Sequence, residues 1–92
     1  MESPDTEGKS LLEFPCEFPV KIMGRADDGF EELVYEIISR HAPDFELDSL
    51  SVRASRDGNF IAVTAMIMAR SRQQLDDLYR ELSTHERVLM AL

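Results

Sequence analysis

The chain has one cysteine, no tryptophan, four glycines and four prolines in ninety-two residues. A lone thiol, Cys16, excludes an internal disulfide and fits a reducing compartment. Its neighbours Pro15 and Glu17 supply no activating base, so it reads as an inert side chain rather than a nucleophile. Positive charge is scarce as well. Ten basic residues face eighteen acidic ones, a net charge of −8, which works against capture by DNA, RNA or an anionic membrane. Long hydrophobic runs are missing: the longest, Ile61 to Ala69, is interrupted by Thr64 and falls far short of a bilayer span. Met1 to Ser10 is polar and acidic, without the apolar segment of a signal peptide. A cytoplasmic protein without a membrane segment is expected.

Catalytic signatures are also absent. No G-x-S-x-G, G-x-G-x-x-G or G-x-x-x-x-G-K occurs. His41 and His85 lie far apart without C-x-x-C or H-x-x-x-H partners, so no metal site is expected. The carboxylate pairs Asp27-Asp28 and Asp76-Asp77 fall at helix starts or on exposed faces, where solvation accounts for them better than acid–base chemistry. The expectation is a non-enzymatic protein with no cofactor.

What the chain does have is strong periodicity. Its length allows one domain with one small core. Residues 1–10 have no apolar period and read as a disordered acidic tail, leaving 11–92 as a single domain. Leu11, Leu12 and Phe14 form a short apolar lead-in that Pro15 closes. A first strand runs from Phe18 to Met23, with Phe18, Val20 and Ile22 on one face. Phe30, Leu33, Val34, Ile37 and Ile38 then make one helical stripe, so a helix is expected near 28–41, ended by Pro43. His41 falls in its last turn, where a cationic ring complements the dipole. Ser71 and Gln74 form a capping box for a second helix near 71–83, whose stripe is Leu75, Leu78, Tyr79 and Leu82. Val88 to Leu92 is the last strand.

Between the helices, Leu47–Ser55 and Phe60–Ala69 form a hairpin whose register is nearly self-determined. With Asp57-Gly58 as a two-residue loop, Ala54 faces Ile61, Val52 faces Val63 and Leu50 faces Ala65 on one side. Ser55, Arg53 and Ser51 then face Phe60, Ala62 and Thr64 on the other. A one-residue slip scrambles that sorting. The order strand, helix, strand, strand, helix, strand gives an α+β, ferredoxin-like βαββαβ sandwich: a four-stranded antiparallel or mixed sheet with two helices on one face.

The helix-free face is expected to carry Lys21, Met23, Ser51, Arg53, Ala62, Thr64, Met66, Met68, Leu89 and Ala91, with Phe60 at its margin. Met23, Met66, Met68 and Leu89 make it apolar enough to serve as an interface, for a protein partner or for a second copy in a homodimer. Val88 and Met90 are expected in the core by alternation. An RNA-recognition domain uses the same face, but Ala62 and Thr64 stand where stacking rings are wanted, so nucleic acid is not an expected partner. Taking the first and third strands as parallel neighbours also brings their exit loops together. Gly24, Arg25, Arg70, Ser71 and Arg72 would then form one end of the sheet, beside a helix N-terminus that favours anions such as a small anionic metabolite. The competing reading is that Arg70 and Arg72 pair with Asp76, Asp77 or Glu31.

Several segments together resemble the YbeD-like family of small bacterial proteins of unknown function. They are Leu11-Leu12-Glu13-Phe14-Pro15, Lys21-Ile22-Met23-Gly24, Arg40-His41-Ala42-Pro43, Gly58-Asn59-Phe60, Leu78-Tyr79-Arg80-Glu81-Leu82 and Val88-Leu89-Met90. The resemblance implies a bacterial cytoplasmic protein with a fold similar to the ACT regulatory domains that bind amino acids. It implies no catalytic residues. The ACT ligand loop resembles D-x-P-G; here Gly29 matches the glycine, while Asp28 stands at the proline position and Ala26 at the acidic one. Fold alone does not carry that site. A small regulatory or interaction domain is the expected function, with an ACT-type metabolite sensor as the alternative.

Overall fold

A computed structural model describes residues 13–92. The tail, Leu11 and Leu12 lie outside the described residues. The elements are β1 (Cys16–Arg25), α1 (Phe30–His41), a 3-10 turn (Leu47–Ser49), β2 (Leu50–Ala54), β3 (Phe60–Ala69), α2 (Arg72–Thr84) and β4 (Val88–Ala91). They make one four-stranded sheet in the order β2-β3-β1-β4, the ferredoxin-like arrangement expected.

The hairpin register is the one expected, with Leu50, Val52 and Ala54 opposite Ala65, Val63 and Ile61. The loop differs. A two-residue type I′ turn needs positive φ at both central positions, and only Gly58 has it, at 78°. Four residues, 56–59, connect the strands instead. Ser55 closes them by donating its N–H to Phe60 O at 2.8 Å and accepting from Gly58 N–H at 3.0 Å. Asp57 Oδ1 accepts from Ser55 Oγ at 2.7 Å and from Asn59 N–H at 3.1 Å. The Ser55 hydroxyl first, then the Asn59 amide, hold its carboxyl below the usual range.

One expectation is overturned: β1 and β3 are antiparallel, with Cys16 opposite Ala69 and Arg25 opposite Phe60. The reason is chain direction. The helix returns the chain so that β2 runs the same way as β1, and the hairpin then reverses β3, which inserts between them. The strands that run the same way are β1 with β2 and β3 with β4, and neither pair is adjacent in the sheet.

Other boundaries shift for local reasons. Residues 47–49 are a 3-10 turn rather than strand, with Ser49 N–H donating to Glu46 O at 2.9 Å. Helix α1 starts at Phe30, because Gly29 occupies the left-handed region at φ 82° and acts as the N-cap. In β4 the pairing jumps from Met23–Met90 to Gly24–Val88. Leu89 is therefore an extra residue in a bulge, and alternation is reset. Met90, expected in the core, is 49% exposed, while Ala91 turns inward against the core.

The core is the layer between the sheet and the helices. It holds Val20, Ile22, Val63, Ala65, Ile67 and Ala69 from the sheet, and Phe30, Val34, Ile37, Ile38, Leu75, Leu78 and Leu82 from the helices. Leu33, on the edge of its stripe, is only half-buried. Val52 faces Val63 but is 42% exposed, since β2 is an edge strand.

Polar contacts tie the helices together. Ser71 Oγ accepts from Gln74 N–H at 3.1 Å. The Gln74 side chain returns to Arg70 N–H at 2.5 Å and donates to His41 O at 2.7 Å, capping the end of α1 as well. Glu81 holds both Arg40 and His41, with His41 Nε2 at 2.7 Å from its Oε1. The Arg40 guanidinium is the main reason the Glu81 carboxyl sits below its usual range; partial burial opposes the shift and His41 adds to it. A carboxyl lowered on folding stabilises the fold above its unfolded pKa, and that contribution is lost as pH falls through the lowered value. The melting temperature of Glu81→Gln should therefore lie below wild type at neutral pH, and the gap should close on acidification. A gap of constant size across that titration would show that the charge is not what Glu81 contributes.

Candidate functional site

The side of the sheet opposite the helices is uncovered. Alternation along β1 turns Glu17, Pro19, Lys21, Met23 and Arg25 outward, and all five are exposed. From β3 come Ala62, Thr64, Met66 and Met68, paired across the ladder with Met23, Lys21, Pro19 and Glu17. Met66 and Met68 are 48% and 43% exposed, and Met23 is 36% exposed. The bulge adds Met90 directly opposite Met23. Phe60 stands at the margin as expected, and Arg25 lies over its ring with the guanidinium carbon 6.0 Å from the centroid. A depression of about 400 Å³ runs across the middle of this face, between Lys21, Met23, Arg53, Thr64 and Leu92.

Of the interface residues expected from sequence, Met23, Met66 and Met68 share this surface. Leu89 is exposed, but the bulge sets it beside Arg25, Asp27, Glu86 and Arg87 at the end of the sheet. Met90 is the residue sequence reasoning missed. The signal that finds it is the pairing of the short last strand, which periodicity does not report.

The expected ligand cluster is not assembled. Because β1 and β3 are antiparallel, Gly24 and Arg25 lie at one end of the sheet and Arg70, Ser71 and Arg72 at the other. Nine residues of strand separate them, roughly 30 Å. Gly24 has a packing role: a Cβ there would lie 2.7 Å from Arg87 O and closer still to the Phe30 ring. Arg70 pairs with Asp44 rather than with the acids expected from sequence, and Ser71 caps α2. Among the described residues, no three of His, Cys, Asp and Glu converge as metal ligands, and no helix is long and apolar enough to cross a membrane.

Comparison with known proteins bears on the fold and the lineage. Residues 9–92 match the model of DUF493, a protein family of unknown function. A UPF0250 protein of Nitrosomonas europaea is 48% identical over 84 residues, covering 91% of this chain and 97% of that one. A UPF0250 protein of Ectopseudomonas mendocina is 46% identical, covering 88% and 89% of the two chains. The solution structure of protein HP0495 from H. pylori superposes with a TM-score of 0.70 at 12% identity, covering 100% of this chain and 97% of that one. A likeness at that identity shows the shared fold alone.

Proposed function

Because the chain belongs to the DUF493 family, whose members are of unknown function, its relatives hand it no activity, and we propose from its own geometry that it is a non-enzymatic interaction domain docking a partner protein on the helix-free sheet face. The observation that carries this reading is the group Met23, Met66, Met68 and Met90, each more than a third exposed on one uncovered face. Methionine suits such a surface because its flexible, polarisable side chain adapts to varied partners. Covering it gains about 25 cal/mol for each Å² of apolar surface removed from water.

Charge selects the kind of partner. On a chain of net charge −8, this face carries Lys21, Arg25 and Arg53 against Glu17. Two copies stacked through it would bring like charges together, whereas an apolar patch rimmed with carboxylates is complementary. Nucleic acid would need stacking rings, and Arg25 already covers Phe60.

A photoactivatable cross-linker at Met23 or Met68 should capture the same partner in native lysate. The same group at the exposed helix position Gln73 should not, and Met90→Asp should abolish capture from Met23. Equal capture from position 73 would move the interaction to the helices and end this reading.

A further inference from the structure

The uncovered face is not flat. Along β3 its outward side chains run Phe60, Ala62, Thr64 and Met66, so two small residues lie between two large ones. Longer side chains stand to either side. Met23 and Arg53 flank Ala62, and Lys21 stands beside Thr64. A trough therefore follows β3, floored by Ala62 and Thr64. It holds two depressions. One, of about 120 Å³, lies between Met23, Phe60 and Ala62, and its lining is almost entirely apolar. The other is the depression of about 400 Å³, with Lys21 on one wall and Arg53 on the opposite one.

Those two cations stand out in a chain of net charge −8. Among the described residues, neither Lys21 nor Arg53 forms an ion pair. Arg40, Arg70 and Arg80 are each paired with a carboxylate, and Arg25 and Arg87 lie over aromatic rings. A carboxylate set into the trough would meet both Lys21 and Arg53. Hydrogen bonding decides the backbone of the group that carries it. An extended segment laid flat on a sheet face buries N–H and C=O groups that the sheet, paired within its own plane, does not satisfy. A helix satisfies its own. Width agrees: β1 and β2 stand about 10 Å apart across β3, and a helix with its side chains is about 10–12 Å wide. Spacing agrees too. The two depressions are centred two residues apart along β3, roughly 7 Å, close to the ~6 Å rise between helix positions i and i+4.

We infer that the trough receives an acidic amphipathic helix of a partner protein, laid along β3. One apolar side chain enters the pit beside Phe60, and a carboxylate one turn away sits between Lys21 and Arg53. The inference rests on the sheet face being the docking surface and names what docks there. The bound helix would give the sheet a helical layer on its second face. The first twelve residues of this chain are a poor match, because Pro4 and Gly8 interrupt any helix among their acids. A second copy is a poor match as well: neither α1 nor α2 exposes a large apolar side chain to seat in the pit.

The test uses the full chain, labelled with ¹⁵N, and a capped, alanine-based helical peptide of about eighteen residues. The peptide carries one central leucine with a glutamate four residues to each side, so that either direction along β3 fits. The amides of Ala62 and Thr64 should shift first, and that of Gln73 on α2 should not move. Replacing both glutamates by glutamine should weaken binding about tenfold, as should Lys21→Gln combined with Arg53→Gln. A proline beside the leucine should abolish binding, because it breaks the helix. Equal binding of the proline peptide would overturn the inference. So would pentanoate that moves the same amides as strongly at the same concentration, which would reduce the trough to a site for small organic acids. Shifts at Ala62 and Thr64 on deletion of residues 1–12 alone would make the chain's own segment the occupant and overturn it as well. A helical peptide that moves nothing, while cross-linking from Met23 still captures a partner, would overturn the helix alone. Failure of both would end the sheet-face reading too.

Discussion

Gly24→Ala should destabilise the domain by about 3 kcal/mol, the upper range for overpacking a filled core. The added methyl would sit 2.7 Å from the Arg87 carbonyl and nearer still to the Phe30 ring. Neither neighbour yields easily. Phe30 is 1% exposed, and Arg87 is held in place, its Nη2 donating to Asp28 O at 3.0 Å and its guanidinium carbon 5.9 Å from the Phe30 centroid. Urea denaturation should show a lower midpoint with an unchanged slope. Adding Phe30→Leu should recover part of the loss, because a smaller side chain removes one of the two clashes, so the pair should be strongly non-additive. A Gly24→Ala variant as stable as wild type would show that the close approach of these elements is not real.

The second large effect separates residues that periodicity treats alike. Ile37 and Leu78 are fully buried, and truncating either to alanine should cost about 2–5 kcal/mol, a large share of a small domain's stability. Leu33 shares the stripe of α1 but is only partly buried against the core, and Leu33→Ala should cost less, about 1–2 kcal/mol, because part of its surface stays in water. Matching losses at positions 33 and 37 would mean that α1 is rotated about its axis relative to the sheet.

These two cases show where sequence reasoning reached and where it stopped. The hairpin register was legible because Leu50, Val52 and Ala54 sort against Ala65, Val63 and Ile61 in one pairing only. Helix α2 was legible because Ser71 and Gln74 cap it. Strand directions were misassigned through topology rather than composition: β1 and β2 run parallel, and it is β3, reversed by the hairpin, that lies beside β1. That one error joined Gly24 and Arg25 to Arg70, Ser71 and Arg72, residues that belong to opposite ends of the sheet. Met90 was placed inside because alternation carries no sign of a bulge at Leu89.

The most direct test of the sheet face as the working surface is methyl NMR with a soluble paramagnetic chelate. In buffer, the methyls of Met23, Met66, Met68 and Met90 should relax strongly, as should that of Thr84 on the exposed end of α2. In native extract from which the endogenous protein has been removed, the methionine methyls should become protected while Thr84 stays accessible. Methionines that remain fully accessible in extract, with Thr84 protected instead, would contradict the account.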